Sequence, residues 1–160
     1  MSKIYVDEIA GIASPSTVAI PGHVIQVVKS SLFTQGSTTS TSGVDIGLSA
    51  SITPSSTANK ILVLVAGGTS YSSAPSNGGP SFWLADGNST IISEFGLHSG
   101  GFGTTATSFF PMASCSVLHS PNTTSSFTYK VRAKTYNAST QTGWCWNGTE
   151  TTITLMEIAG

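Results

Sequence analysis

Phe127-Thr128-Tyr129-Lys130-Val131-Arg132-Ala133-Lys134-Thr135 decides the fold. Phe127, Tyr129, Val131, Ala133 and Thr135 alternate with Thr128, Lys130, Arg132 and Lys134. A period of two puts the first set on one face of a strand and the cations on the other, so this is a half-buried β-strand. The spacing of the three cations gives them one shared outward face, read as a solvated strand face rather than a polyanion site.

Outward from this stretch the same period recurs. Val44, Ile46, Leu48, Ala50 and Ile52 share one face. Lys60-Ile61-Leu62-Val63-Leu64-Val65-Ala66 is apolar on both faces and reads as a central strand, ended by Gly67-Gly68. His23 to Val28, Ser81 to Ala85, Thr90 to Phe95, Phe109 to Leu118, Gly143 to Trp146 and Thr151 to Ile158 complete the set. Asp86-Gly87-Asn88 and Asn147-Gly148 read as hairpin turns. Segments 34–43, 72–80 and 96–108 are rich in Ser, Thr and Gly and read as loops. No helical period occurs. The expected fold is all-β, an antiparallel β-sandwich or jelly roll over residues 25–160. Residues 1–24 form an extended N-terminal arm punctuated by Gly11, Pro15 and Pro21, with Ile4, Tyr5, Val6 and Ile9 as anchor residues. The alternative for this arm is a first edge strand of the same domain.

Charge is scarce. Six basic and seven acidic residues make only 8% of the 160 residues, with a net charge of −1. Typical domains carry about three times that fraction. Hydroxyls and amides must keep the surface wet. The balance speaks against nucleic acid, which needs a basic stripe. Asp7 and Glu8 break any signal-peptide apolar region, and no apolar run reaches the roughly 18 residues of a membrane helix. Synthesis in a cytoplasm without membrane insertion is the expectation. Cys115 and Cys145 read as buried free thiols, with Cys145 in a packed strand between Trp144 and Trp146.

Catalytic patterns are not visible. The histidines 23, 98 and 119 are isolated, the carboxylates are dispersed, and no metal or cofactor is expected. A carbohydrate-active enzyme using a carboxylate such as Glu94 is a remote alternative. Tyr71, Trp83 and Phe102 lie in or beside Gly/Ser loops and are the expected surface-recognition residues, the alternative being that Trp83 is core and Tyr71 caps it.

Several runs carry a family likeness. These are Lys3 to Ile9, Pro21 to Val27, the run Ser51-Ile52-Thr53-Pro54-Ser55-Ser56-Thr57-Ala58-Asn59-Lys60-Ile61-Leu62-Val63, then Ser120-Pro121 with Thr128 to Ala133, and Thr152 to Ala159. In this order they resemble small virion proteins of tailed phages, especially phages of marine bacteria, over most of the chain outside the three loops. The resemblance implies a jelly roll like that of C1q and tumour-necrosis-factor proteins, a homotrimer, and contact with other virion proteins of capsid or tail. It implies capsid decoration, a head fibre or knob, or a tail-fibre tip touching host glycan or protein. The implied location is the virion, reached by lysis. It brings no catalytic residues. The chain lacks repeats and coiled-coil heptads, which favours a compact knob.

Overall fold

The computed structural model describes residues 21–73, 80–96 and 110–160. The strands in chain order are β1 (Val24–Leu32), β2 (Gly36–Thr38), β3 (Val44–Ile52), β4 (Lys60–Thr69), β5 (Tyr71–Ser73), β6 (Pro80–Asp86), β7 (Ile91–Gly96), β8 (Met112–His119), β9 (Phe127–Thr135), β10 (Gln141–Trp144) and β11 (Thr151–Ile158). A short 3-10 turn, Trp146–Gly148, precedes β11.

Two four-stranded antiparallel sheets face each other, ordered β1-β11-β4-β8 and β3-β9-β6-β7. Without the three-residue and four-residue strands, these orders are first-eighth-third-sixth and second-seventh-fourth-fifth. That is jelly-roll connectivity, two Greek keys folded face to face. A third small sheet, β2-β10-β5, covers one end.

The inward alternates form the core. Ile46, Leu48, Ala50 and Ile52 of β3 meet Ile61, Val63 and Val65 of β4, Leu84 of β6, Tyr129 and Val131 of β9, and Ile153 and Leu155 of β11. A void between Ile46, Val65, Phe82, Val131 and Trp144 holds about 10 Å³, too little for a ligand. β4 lies between β11 and β8, so its doubly apolar sequence matches a central position.

Four expectations differ from the structure. Segment 34–43 is not all loop: Gly36–Thr38 pairs with β10, where Gly36 lies against the Trp144 indole. Gly67-Gly68 does not end β4. It forms an irregularity inside the strand, where a Cβ on Gly67 would lie 2.0 Å from the Ala113 carbonyl oxygen and one on Gly68 2.7 Å from that of Glu150. Asn147-Gly148 does not join a hairpin, because β10 and β11 lie in different sheets. Cys145 is buried, but in a left-handed turn (φ 50°, ψ 40°) instead of a strand. By contrast Asp86 anchors the β6–β7 hairpin as its sequence suggests. Its carboxylate accepts from the backbone N–H groups of Asn88 (2.9 Å) and Thr90 (2.7 Å).

Candidate functional site

The two outer faces and two ends of the sandwich differ in chemistry.

The outer face of β3-β9-β6-β7 holds half of the charged side chains among the described residues. Asp45, Arg132, Trp83 and Glu94 stand in register across all four strands. Asp45 binds Arg132 (2.8 Å) and Lys130 (3.0 Å); Lys134 binds Glu94 (3.1 Å). The three cationic side chains are only 15–18% exposed. They lie flat under their partners, so the expected solvated face is instead a closed ion network. Trp83 is part of it, on the outer face and not in the core. Lys134 Nζ stands 4.5 Å from the Trp83 ring centroid and the Arg132 guanidinium 5.8 Å. Beneath one edge of the indole runs Gly43, at φ +80°, where a Cβ would fall 2.4 Å from the ring. Burial raises the Glu94 pKa, but the Ser81 hydroxyl (2.6 Å), Lys134 and the nearby indole N–H outweigh it and hold the pKa near about 2. Beside this network an irregularity in β3 opens a crevice of about 100 Å³, lined by Asp45, Gly47, Leu48, Ser49 and Lys130.

The opposite outer face carries an apolar row among hydroxyls, Ser114 and Ser116 of β8 included. Val27 pairs with Met156, Met156 with Leu62, and Leu62 with Leu118, so one row of aliphatic side chains crosses all four strands. Val27 is 56% and Leu118 55% exposed. Leu64 and Ile158 widen the row, and Val24 and Ile25 are exposed beside it. Threonines 152 and 154 fill the next positions. Lys29, paired with Glu150 at 3.4 Å, and Lys60 stand at the margins.

At one end residues 21–23 meet residues 159–160. Gly22 N–H bonds the Ala159 carbonyl, and Ala159 N–H bonds that of His23. Beneath them Glu157 has 0% exposure. Its carboxylate accepts from Gln26 Nε2 (2.5 Å), Asn59 Nδ2 (2.5 Å), and the Ser55 N–H (2.7 Å) and hydroxyl (2.8 Å). Burial raises the Glu157 pKa; these four donors reverse the effect and lower it. Three stretches far apart in sequence, around Gln26, Ser55 to Asn59 and Glu157, therefore converge on one carboxylate. At the same end Tyr129, fully buried, shares its hydroxyl with His119 Nδ1 at 2.9 Å. Burial pushes the phenol well above its ordinary range and the imidazole below its own. This pair closes the core.

The far end carries the β2-β10-β5 sheet and the turn after β10. Tyr71 lies in β5 opposite Gly143, and its side chain falls outside the described set. Ile4, Tyr5, Val6, Ile9 and Phe102 also lie outside the described residues. Sequence reasoning missed Phe110 and Trp146, whose rings meet here at 5.9 Å. Among the described residues no three His, Cys, Asp or Glu side chains converge on a metal position, and no helix is long and apolar enough to cross a membrane. Both cysteines are free thiols; burial raises Cys115 to about 11.

No protein-family model matches the chain, and no curated protein matches it. Among solved structures it is similar to the D431N mutant VP2 protein of infectious bursal disease virus, from derived T=1 particles. The identity is 14%, and the match covers 96% of this chain and 41% of that one, with a TM-score of 0.39. The chain thus spans less than half the length of that protein. The fold stands on the strand registers and not on this likeness.

Proposed function

We propose that the chain is a structural protein of a phage virion: a C1q/TNF-like jelly-roll knob that assembles as a homotrimer on the particle surface, as capsid decoration or head fibre. Its role is to bind and cover, without catalysis. The row Val27–Met156–Leu62–Leu118 carries this reading. A four-strand aliphatic face with charges only at its margins is what a permanent interface between copies buries, and single proteins rarely leave such a face in water. A threefold axis of this kind suits a chain with few charges to repel.

The division of the ends supports the rest. Residues 1–24 are the anchor to capsid or tail, entering at the Glu157 end, while the small sheet and its turn point the other way. Synthesis in the host cytoplasm with release by lysis completes the proposal.

A chain lacking residues 1–20 tests it. The expected result is a soluble knob that no longer sits on particles from a complementing strain; retention of the truncated chain on particles contradicts the anchor. Copy number per virion separates decoration from the second reading, a tail-fibre or tail-tip receptor-binding protein. Hundreds of copies place the chain on the capsid lattice. A few tens or fewer favour the tail, with the aromatic end facing the host.

A further inference from the structure

The two large sheets end in four edge strands, β1 and β8 in one, β3 and β7 in the other. A free edge offers unpaired N–H and C=O groups to any other strand, and edges are normally blunted by a bulge, a charge or a proline. Three of these four are blunted. β1 has an irregularity between Val24 and Gln26 and carries Lys29. β3 has one between Asp45 and Ser49, with Gly47 at φ +89°. β7 has one between Ile91 and Ser93 and carries Glu94. β8 is bare. Its register against β4 runs unbroken from Ser114 to His119, and the extra residue between Ala66 and Thr69 belongs to β4. Met112 to His119 contains no Lys, Arg, Asp, Glu or Pro, and among the described residues no strand pairs with its outer side.

The side chains of β8 form a palindrome. Outward stand Met112, Ser114, Ser116 and Leu118, with Met112 80% and Leu118 55% exposed; inward stand Ala113, Cys115 and Val117. In either direction from Cys115 the order is a hydroxyl, a smaller aliphatic, a larger aliphatic. Residues directly opposite on neighbouring strands share a face of the sheet. An antiparallel partner centred on Cys115 therefore sets Met112 against Leu118, Ala113 against Val117 and Ser114 against Ser116, each match made twice. Moving the centre to Ser116 sets Ser114 against Leu118 and loses the match.

We infer that β8 pairs with β8 of a second copy of this chain, antiparallel about a twofold axis at Cys115, so that two four-stranded sheets become one continuous sheet. Self-complementarity about one axis is what such an isologous contact requires, and main-chain bonds to the added strand supply the affinity. A strand of unrelated sequence would not use the palindrome. The contact lies on the edge of the sheet, whereas the row from Val27 to Leu118 lies on its face. One strand pair is a small interface, so its Kd is on the order of 0.1–1 mM. On the virion-surface reading, knobs held side by side at about millimolar effective concentration are tied to their neighbours through it.

Cross-linking reads the register. In a Cys115→Ser background, Ser114→Cys and Ser116→Cys chains are mixed at about 1 mM, near the expected Kd, with oxidised glutathione as the oxidant. Opposite Cβ atoms lie within disulfide reach and diagonal ones do not, so the mixture is expected to cross-link about tenfold faster than either variant alone. Sedimentation velocity of the unaltered chain at the same concentration is expected to show a species of twice the mass seen in dilute solution. Ser114→Lys/Ser116→Lys, at two exposed positions, sets like charges opposite each other and should remove that species; mixing with Ser114→Glu/Ser116→Glu should restore it. Should Cys115→Ser misfold, the charge variants decide alone. Equal cross-linking rates, no doubling, or doubling that survives the lysines overturns the inference. Doubling is counted from whatever mass the dilute chain has, so a single-chain mass there would fail the trimer and leave this contact standing.

Discussion

The outer faces of the two sheets are built on the same pleat and share one core, yet they present opposite chemistry to water. On β3-β9-β6-β7 the outward positions include Asp45, Lys130, Arg132, Lys134 and Glu94, each ion-paired across the strands, with Trp83 packed under the cations. On β1-β11-β4-β8 a row of Val27, Met156, Leu62 and Leu118 crosses the sheet, with Thr152 and Thr154 beside it and Lys29 and Lys60 at its margins. A strand's inward residues decide how it folds; its outward residues decide what the folded molecule meets. The charged face closes on itself. The apolar row is left to solvent in the single chain, and in the proposed trimer other copies cover it.

The largest effect distinguishes the faces by a single charge. Leu62→Lys places an unpaired ammonium in the middle of the apolar row, and burying it costs about 3–5 kcal/mol per interface. The expected outcome is dissociation to single chains in light scattering. Ser51→Lys puts the same charge on the other outer face, and the mass is expected to stay unchanged. If both variants dissociate, the contrast is broken.

Next comes the carboxylate hidden under the apolar sheet. Glu157→Ala leaves Asn59, Gln26 and Ser55 donors without their acceptor, and should cost about 2–4 kcal/mol in urea unfolding. Its pH dependence has a definite sign. The folded pKa of Glu157 lies below the unfolded value, so its contribution is fully present above the ordinary carboxylate pKa and is lost as pH falls through the folded pKa. Glu94, lowered to about 2, acts in the same direction over the window from the unfolded value of 4.5 down to about 2. Unfolding midpoints measured between those limits should fall as pH is lowered, and Glu157→Gln and Glu94→Gln should each flatten the slope.

Gly43→Ala sharpens the account of the charged face. It forces a Cβ toward Trp83 at a positive φ and should cost about 1–2 kcal/mol. A neutral result in thermal unfolding would mean the indole is not seated there. Smallest is Asp45→Asn, which weakens two half-exposed ion pairs and should change stability by about 1 kcal/mol or less.

Much of the sandwich is legible in the chain because β3, β4 and β9 are long enough to show their period. The small sheet is not, since Gly36–Thr38 and Tyr71–Ser73 are three-residue strands of mostly Gly and Ser with no period to detect. Cys145 shows the other limit. Flanked by two tryptophans it looks like strand, but its thiol bonds Leu32 and Thr151 and its carbonyl accepts from Gly148 N–H, which together hold it in a left-handed turn. Glu157 was within reach. It shares parity with Ile153 and Leu155, which should have marked it as inward, but a lone carboxylate near a chain end reads as surface. The outward row was the hardest to see, because Val27, Leu62, Leu118 and Met156 lie far apart in sequence and meet only through the registers of three strand pairs.

Sedimentation equilibrium of the unaltered chain tests the central claim most directly. The account predicts a species of three 16.4 kDa chains at micromolar concentration, reduced to single chains by Leu62→Lys. A single-chain mass at every concentration, or a trimer that Leu62→Lys leaves intact, would contradict it.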